Sequence, residues 1–130
     1  MIVVDASALL EVLLMTDAAA GIQDRLFRDG ETLHAPHLID LEVAQVLRRY
    51  CATGNLDSAR GAEALDDLAD LQLARYPHDV LLPRIWELRQ TITAYDAAYV
   101  ALAEVLGAPL VTRDARLATT RGHTATIEVV

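Results

Sequence analysis

The chain has 130 residues, 53% of them hydrophobic, with 19 acidic against 11 basic side chains and a formal net charge of -8. That length suits one compact domain spanning 1–130, able to bury roughly two thirds of the surface its unfolded chain exposes, while the charge has the wrong sign for non-specific nucleic-acid binding. Every basic residue is arginine, which excludes a P-loop, a Schiff-base enzyme and a receiver domain, because each depends on a lysine. No stretch approaches the roughly 18 apolar residues of a membrane helix. Met1 runs straight into a strand-like segment with no basic leader, so a cytoplasmic protein with no membrane association is expected. Cys51 has no partner for an internal disulfide and is expected as a small, partly buried filler.

In chain order, Ile2 to Val4 predict a short buried strand, and Ser7 or Asp5 can cap a helix over Ala8 to Met15. A second helix is expected from Ala18 to Phe27. Asp29-Gly30 marks a turn before the apolar stretch Thr32 to Ala35, after which Pro36 opens a long helix from His37 to Cys51. Asp57 caps a further helix through Leu71, and Gln72 to Arg75 read as a strand. A helix over Leu82 to Arg89 tolerates Pro83 in its first turn. The segment Thr93 to Leu106 is helical and stopped by Gly107 and Pro109. Leu110 to Thr112 form a strand, and Ala115 to Thr119 and Thr126 to Val130 supply a last short helix and strand. Strands alternating with helices predict a three-layer α/β/α domain with a short, mainly parallel sheet.

Four acids fall where such a fold would gather them. Asp5 and Asp114 follow hydrophobic strands, and the C-terminal ends of strands are where open α/β sheets build ligand sites. Each can equally serve as a helix N-cap. Glu42 projects from the flank of the stripe formed by Ile39, Val43, Val46, Leu47 and Tyr50, near Arg49, and a solvated ion pair is the plain alternative. Asp96 shares an inward face with Tyr99, Val100 and Ala103. The competing role is a capping box, Thr93-x-x-Asp96. Should the four meet, each close pair would repel by roughly 4 kcal/mol at an effective dielectric near 20. A cation must then offset them, and oxygen-only donors select Mg²⁺ or Mn²⁺ over zinc.

The runs Ile2-Val3-Val4-Asp5-Ala6-Ser7-Ala8, Leu41-Glu42-Val43-Ala44, Tyr95-Asp96-Ala97-Ala98-Tyr99-Val100-Ala101-Leu102-Ala103 and Leu110-Val111-Thr112-Arg113-Asp114-Ala115-Arg116-Leu117 resemble the PIN-domain ribonucleases, and within them the VapC toxins of bacterial type II toxin–antitoxin pairs. The resemblance spans nearly the whole chain. It implies an endoribonuclease that hydrolyses RNA phosphodiester bonds with water activated by carboxylate-bound Mg²⁺ or Mn²⁺, leaving 3′-hydroxyl and 5′-phosphate ends. Asp5, Glu42, Asp96 and Asp114 carry over as the catalytic and metal-holding acids, with Asp5 and Asp96 as direct ligands. Ser7 and Thr112 carry over as supporting hydroxyls. Arg116 stands where many relatives have a further acid, so a second ion is expected to be held weakly or only with RNA bound. The resemblance also implies a homodimer and a VapB-like antitoxin whose C-terminal segment crosses the pocket.

Other expectations concern the surroundings. Arg113 and Arg116 could hold flanking phosphates. Trp86 is expected in the core, one turn after Leu82. An apolar groove for the partner is expected around Leu9, Leu10, Leu13 and Leu14, which could equally be core. His34, His37, His78 and His123 lack a zinc-ligand pattern. Among other classes, a haloacid-dehalogenase-type phosphatase needs a second Asp where Ser7 stands, and a lysine. The rival that survives is a catalytically inactive α/β binding module.

Overall fold

Five short strands and their crossovers frame the protein. In the computed structural model, which describes residues 1–130, β1 (Ile2–Val4), β2 (Leu33–Pro36), β3 (Leu73–Tyr76), β4 (Leu110–Thr112) and β5 (Ile127–Val129) lie in the order β3-β2-β1-β4-β5. Every neighbouring pair is parallel, so the sheet is parallel throughout. The helices are α1 (Ala6–Leu13), α2 (Ala19–Leu26), α3 (Leu38–Ala52), α4 (Ser58–Asp70), α5 (Leu82–Glu87) and α6 (Ala94–Leu106).

Strand order explains the layers. From β1 the chain steps outward through β2 to β3, then returns across β1 to β4 and steps outward the other way. Right-handed crossovers taken in opposite directions deposit their helices on opposite faces. Accordingly α1 packs with α2, α3 and α4, while α6, backed by α5, lies against β1, β2 and β4. A strand covered on both faces has no reason to alternate apolar and polar residues, and Ile2, Val3, Val4, Leu110 and Val111 are all fully buried. The reversal of strand order falls between β1 and β4, the switch point at which such sheets open a crevice beyond their strand ends. No helix is long and apolar enough to cross a membrane.

The expected elements are all present, with informative shifts. Helix α1 starts two residues earlier than expected because Asp5, not Ser7, is its cap: Oδ1 accepts from the Ser7 amide at 3.2 Å. Pro36 closes β2 instead of opening α3. It is tolerated there because β1 pairs only with Leu33 and His34, so no β1 partner requires a Pro36 amide. Ala115–Thr119 is 3-10 rather than α-helical, and a second 3-10 turn, Asp79–Leu81, precedes α5. Gly107 ends α6 at φ 61, a left-handed cap open to glycine at no steric cost.

One expectation about burial is corrected, and one open choice is narrowed. Trp86 is 68% exposed. Leu81 and Leu88 take the buried positions, with Ile85 packed against the core between them, a spacing of four and three that turns the neighbouring Trp86 outward. Of the four leucines that could be either groove or core, Leu9 and Leu13 are core residues, while Leu10 and Leu14 are partly buried against them and Leu10 also lines the groove beside Asp5.

Helices α3 and α4 approach closely at Gly61, where an added Cβ would meet the Cys51 sulfur at 3.1 Å and Leu56 Cδ2 at 3.6 Å. Cys51 is thus the filler its position suggested. A branched side chain there must displace the Cys51 and Leu56 side chains or spread the helices. Gly61→Val is expected to destabilise the fold by about 1–3 kcal/mol, read as a lower urea midpoint. A midpoint unchanged from the parent would show that the two helices separate freely.

Candidate active site

Two adjacent strand ends create the site. Val3 lies opposite Leu110 and Val4 opposite Val111, and the Asp5 amide donates to the Val111 carbonyl at 3.0 Å. Asp5 and Thr112 therefore leave the sheet side by side. The fully buried Thr112 hydroxyl donates to Asp5 Oδ2 at 2.6 Å and accepts from the Asp114 amide at 3.0 Å. Ser7 Oγ stands 3.2 Å from Asp5 Oδ2 and 3.3 Å from Thr112 Oγ1, and it accepts from the Arg113 amide at 3.0 Å. These two hydroxyls knit the turn after β4 to the turn after β1. In doing so they hold the Asp5 carboxylate in one orientation.

Glu42 arrives from α3 and meets α6. Its Oε1 accepts from the buried Tyr99 hydroxyl at 2.5 Å, and no salt bridge joins it to Arg49. Burial holds the Glu42 carboxyl above its ordinary range despite that donor, and the charges of Asp5 and Asp96 push it further up. The same surroundings raise the Tyr99 hydroxyl far above the usual phenol range, through burial and then the nearby Glu42 charge. Tyr99 thus stays a donor at any physiological pH.

Asp96 resolves the choice between capping and site. Thr93 is the N-cap of α6, and its Oγ1 accepts from the Asp96 amide at 3.2 Å. The backbone of Asp96 is therefore inside the cap, while its carboxylate makes no reciprocal bond to the Thr93 amide. Burial, then the charges of Asp5 and Asp114, raise the Asp96 carboxyl above its ordinary range, opposed in part by the Thr93 hydroxyl and Arg116. Asp114 shows the reverse. It caps the following 3-10 turn through the Arg116 amide at 2.9 Å and receives the Arg116 guanidinium at 3.0 and 2.7 Å, which holds its carboxyl below the ordinary range.

All four acids line one groove of about 380 Å³, with Ser7, Glu11, Arg49, Tyr50 and Arg113 also on its walls. Its donor set is oxygen from carboxylates, the chemistry that suits Mg²⁺ or Mn²⁺, so the residues fit a hard divalent ion. No three His, Cys, Asp or Glu side chains are drawn together tightly enough to enclose a cation. Three of the acids are instead turned toward separate donors: Asp5 to Thr112 and Ser7, Glu42 to Tyr99, Asp114 to Arg116. The histidines take no part. His34 bridges Thr32 and Tyr76, and His78 accepts from the Leu38 amide.

The family model for the PIN domain matches residues 2–122. The chain belongs to the PIN-domain family, in its VapC branch. It is 47% identical to Ribonuclease VapC9 of Mycobacterium tuberculosis over 130 residues, covering 100% of this chain and 98% of that one. Ribonuclease VapC12 of the same organism is 43% identical over 130 residues, covering 100% and 99%. In fold, the chain resembles VapBC2 from Rickettsia felis, solved bound to a DNA fragment from their promoter, with a TM-score of 0.73 at 14% identity over 99% of this chain and 98% of that one.

Within this PIN domain, sequence reasoning missed Tyr99 as the partner of Glu42. The signal was available: a tyrosine on the buried face of α6 needs a hydroxyl partner, and Glu42 flanks the stripe of the helix opposite. Glu11 was also missed. It meets Arg113 across the groove at 3.5 Å, a contact between residues far apart in sequence with no pattern to announce it.

The raised Asp96 carboxyl has a sign that can be tested. An acid whose folded pKa lies above its unfolded value weakens the fold at neutral pH, and the penalty fades as pH falls toward the unfolded value near 3.8. Asp96→Asn in EDTA is therefore expected to melt higher than the parent at pH 7, by ~0.5 kcal/mol after solvent screening of a half-open carboxyl. That gain should vanish as pH approaches 4. A variant that melts lower at neutral pH would make the carboxylate a structural cap.

Proposed function

We propose that this PIN domain is a Mg²⁺- or Mn²⁺-dependent endoribonuclease acting as the toxin of a type II toxin–antitoxin pair. The observation that carries the reading is the meeting of Asp5, Glu42, Asp96 and Asp114 on one groove at the sheet's switch point. The VapC ribonucleases that share 43–47% of its residues over its full length support it.

In this reading Asp5 and Asp96 hold the ion, and Glu42 and Asp114 complete its shell directly or through water. When bound, the ion supplies Lewis acidity that makes water a nucleophile near neutral pH and offsets charge on the leaving oxygen. The protein's share is positioning. Thr112 and Ser7 fix the Asp5 oxygens, and Tyr99 fixes Glu42, so little reorganisation remains when the phosphate arrives. Arg113 and Arg49 stand on the groove wall where flanking phosphate oxygens would pass. A VapB-like antitoxin is the partner in this reading, with a homodimeric toxin and a cytoplasmic location.

One observation favours a second reading, a catalytically inactive binding module: no three acids close on a common point. A single experiment separates the two. Purified protein freed of any antitoxin is incubated with total RNA in Mn²⁺, Mg²⁺ or EDTA, beside Asp5→Ala/Asp96→Ala. Cuts bearing 5′-phosphates are expected with either metal, lost in EDTA and reduced by at least about a hundredfold in the variant, the scale set by losing ion-held charge stabilisation. Cleavage that persists in the double variant, or none under any metal, would sink the nuclease assignment.

A further inference from the structure

A second groove, of about 510 Å³, shares Asp96 and Asp114 with the acidic one. It follows the loop from the end of α5 to the start of α6, and its remaining wall includes Arg89, Gln90, Thr91, Arg116 and Thr120. Hydroxyl, amide and guanidinium groups dominate it. Beside it lies the exposed Trp86, with the Arg89 guanidinium 4.6 Å from the indole centroid. Arg89 Nη1 also donates to the Trp86 carbonyl at 2.9 Å, so the two side chains form one shelf whose arginine reaches into the groove. An exposed indole is an unusual use of the chain's one tryptophan. Arg116 is 87% exposed in its side chain and bound only to Asp114, where it can exchange a carboxylate for a phosphate.

We propose that this groove, with the Trp86–Arg89 shelf, holds single-stranded RNA on one flank of the scissile phosphate. A base stacks on the indole, Arg89 and Arg116 receive phosphate oxygens, and Gln90, Thr91 and Thr120 face base edges. The inference rests on the ribonuclease reading and names a surface that seats its substrate. Single-stranded RNA fits because its bases are free to splay onto an aromatic or guanidinium plane, which paired bases are not. Two arginines also place guanidinium donors for phosphate oxygens beside the carboxylates of an acidic protein. Asp96 and Asp114 on the same wall argue against a second protein copy as occupant, since interface cores are depleted of aspartate.

Because Trp86 is the sole tryptophan, its emission reports the stacking directly. A short fluorescein-labelled single-stranded RNA of mixed sequence is titrated into the full chain in EDTA, with binding followed by anisotropy and by tryptophan emission. Saturable quenching in step with binding is expected. Trp86→Ala/Arg89→Ala should weaken binding roughly tenfold, the scale of one lost base stack, and Trp86→Phe should restore most of it. In cleavage with Mn²⁺ the double variant should raise KM by a similar factor and leave kcat unchanged. RNA that binds without altering tryptophan emission, or binds the double variant as tightly as the parent, overturns the proposal and leaves the nuclease reading standing. Unchanged RNA binding together with a fall in oligomeric mass would assign the shelf to contact between copies and likewise overturns it. A parent protein that neither binds nor cuts RNA overturns both readings.

Discussion

The hydrogen bond from the buried Thr112 hydroxyl to the Asp5 carboxylate organises everything around it. It joins the end of β1 to the end of β4 at 2.6 Å, and the same hydroxyl receives the Asp114 amide. A buried carboxylate is costly unless donors surround it, and the Ser7 amide and hydroxyl supply the others. Asp5 therefore does two jobs with one side chain: it caps α1 and anchors the groove. Replacing Thr112 by valine keeps the shape but removes the donor, leaving a charge without its closest partner.

Around that anchor the acids divide by environment. Asp5 and Asp114 sit on strand-end turns and are satisfied by several local donors, whereas the half-buried Glu42 and Asp96 come from helices, and Glu42 has only the Tyr99 hydroxyl. Burial raises the second pair and Arg116 lowers Asp114. The groove is thus a set of carboxylates with graded appetites for positive charge. Part of that difference follows from architecture: the strand-end turns bring backbone amides to Asp5 and Asp114, whereas the Glu42 carboxylate on α3 meets only a side-chain donor.

Much of this was legible in the residues. The continuous apolar runs before Asp5 and before Thr112 announce strands buried on both faces, and Gly107 with Pro109 announces where α6 must stop. Spacing also placed Asp96 inward. What pattern could not decide was any matter of which donor reaches which acid. Asp5 and Ser7 were equal candidates for the α1 cap until backbone direction chose Asp5. Glu42 looked like a partner of Arg49 because the two share a helix, yet the buried Tyr99 from another helix claimed it. Trp86 misled for a related reason: one apolar neighbour a turn away suggests a stripe, but α5 is less than two turns long, and the 3-10 turn before it supplied Leu81 to the inward position instead.

The link between β1 and β4 spans 107 positions of sequence. Contacts of such separation form only after the intervening chain is available, and domains made during synthesis fold from the N-terminal side as they emerge. The groove cannot assemble on the ribosome while β4 is still unsynthesised, because until then Asp5 has neither Thr112 to orient it nor Asp114 across from it. A chain with the proposed chemistry is thereby inert toward the RNA that encodes it for nearly the whole of its own translation. Topology alone delays completion of the groove until β4 has been made.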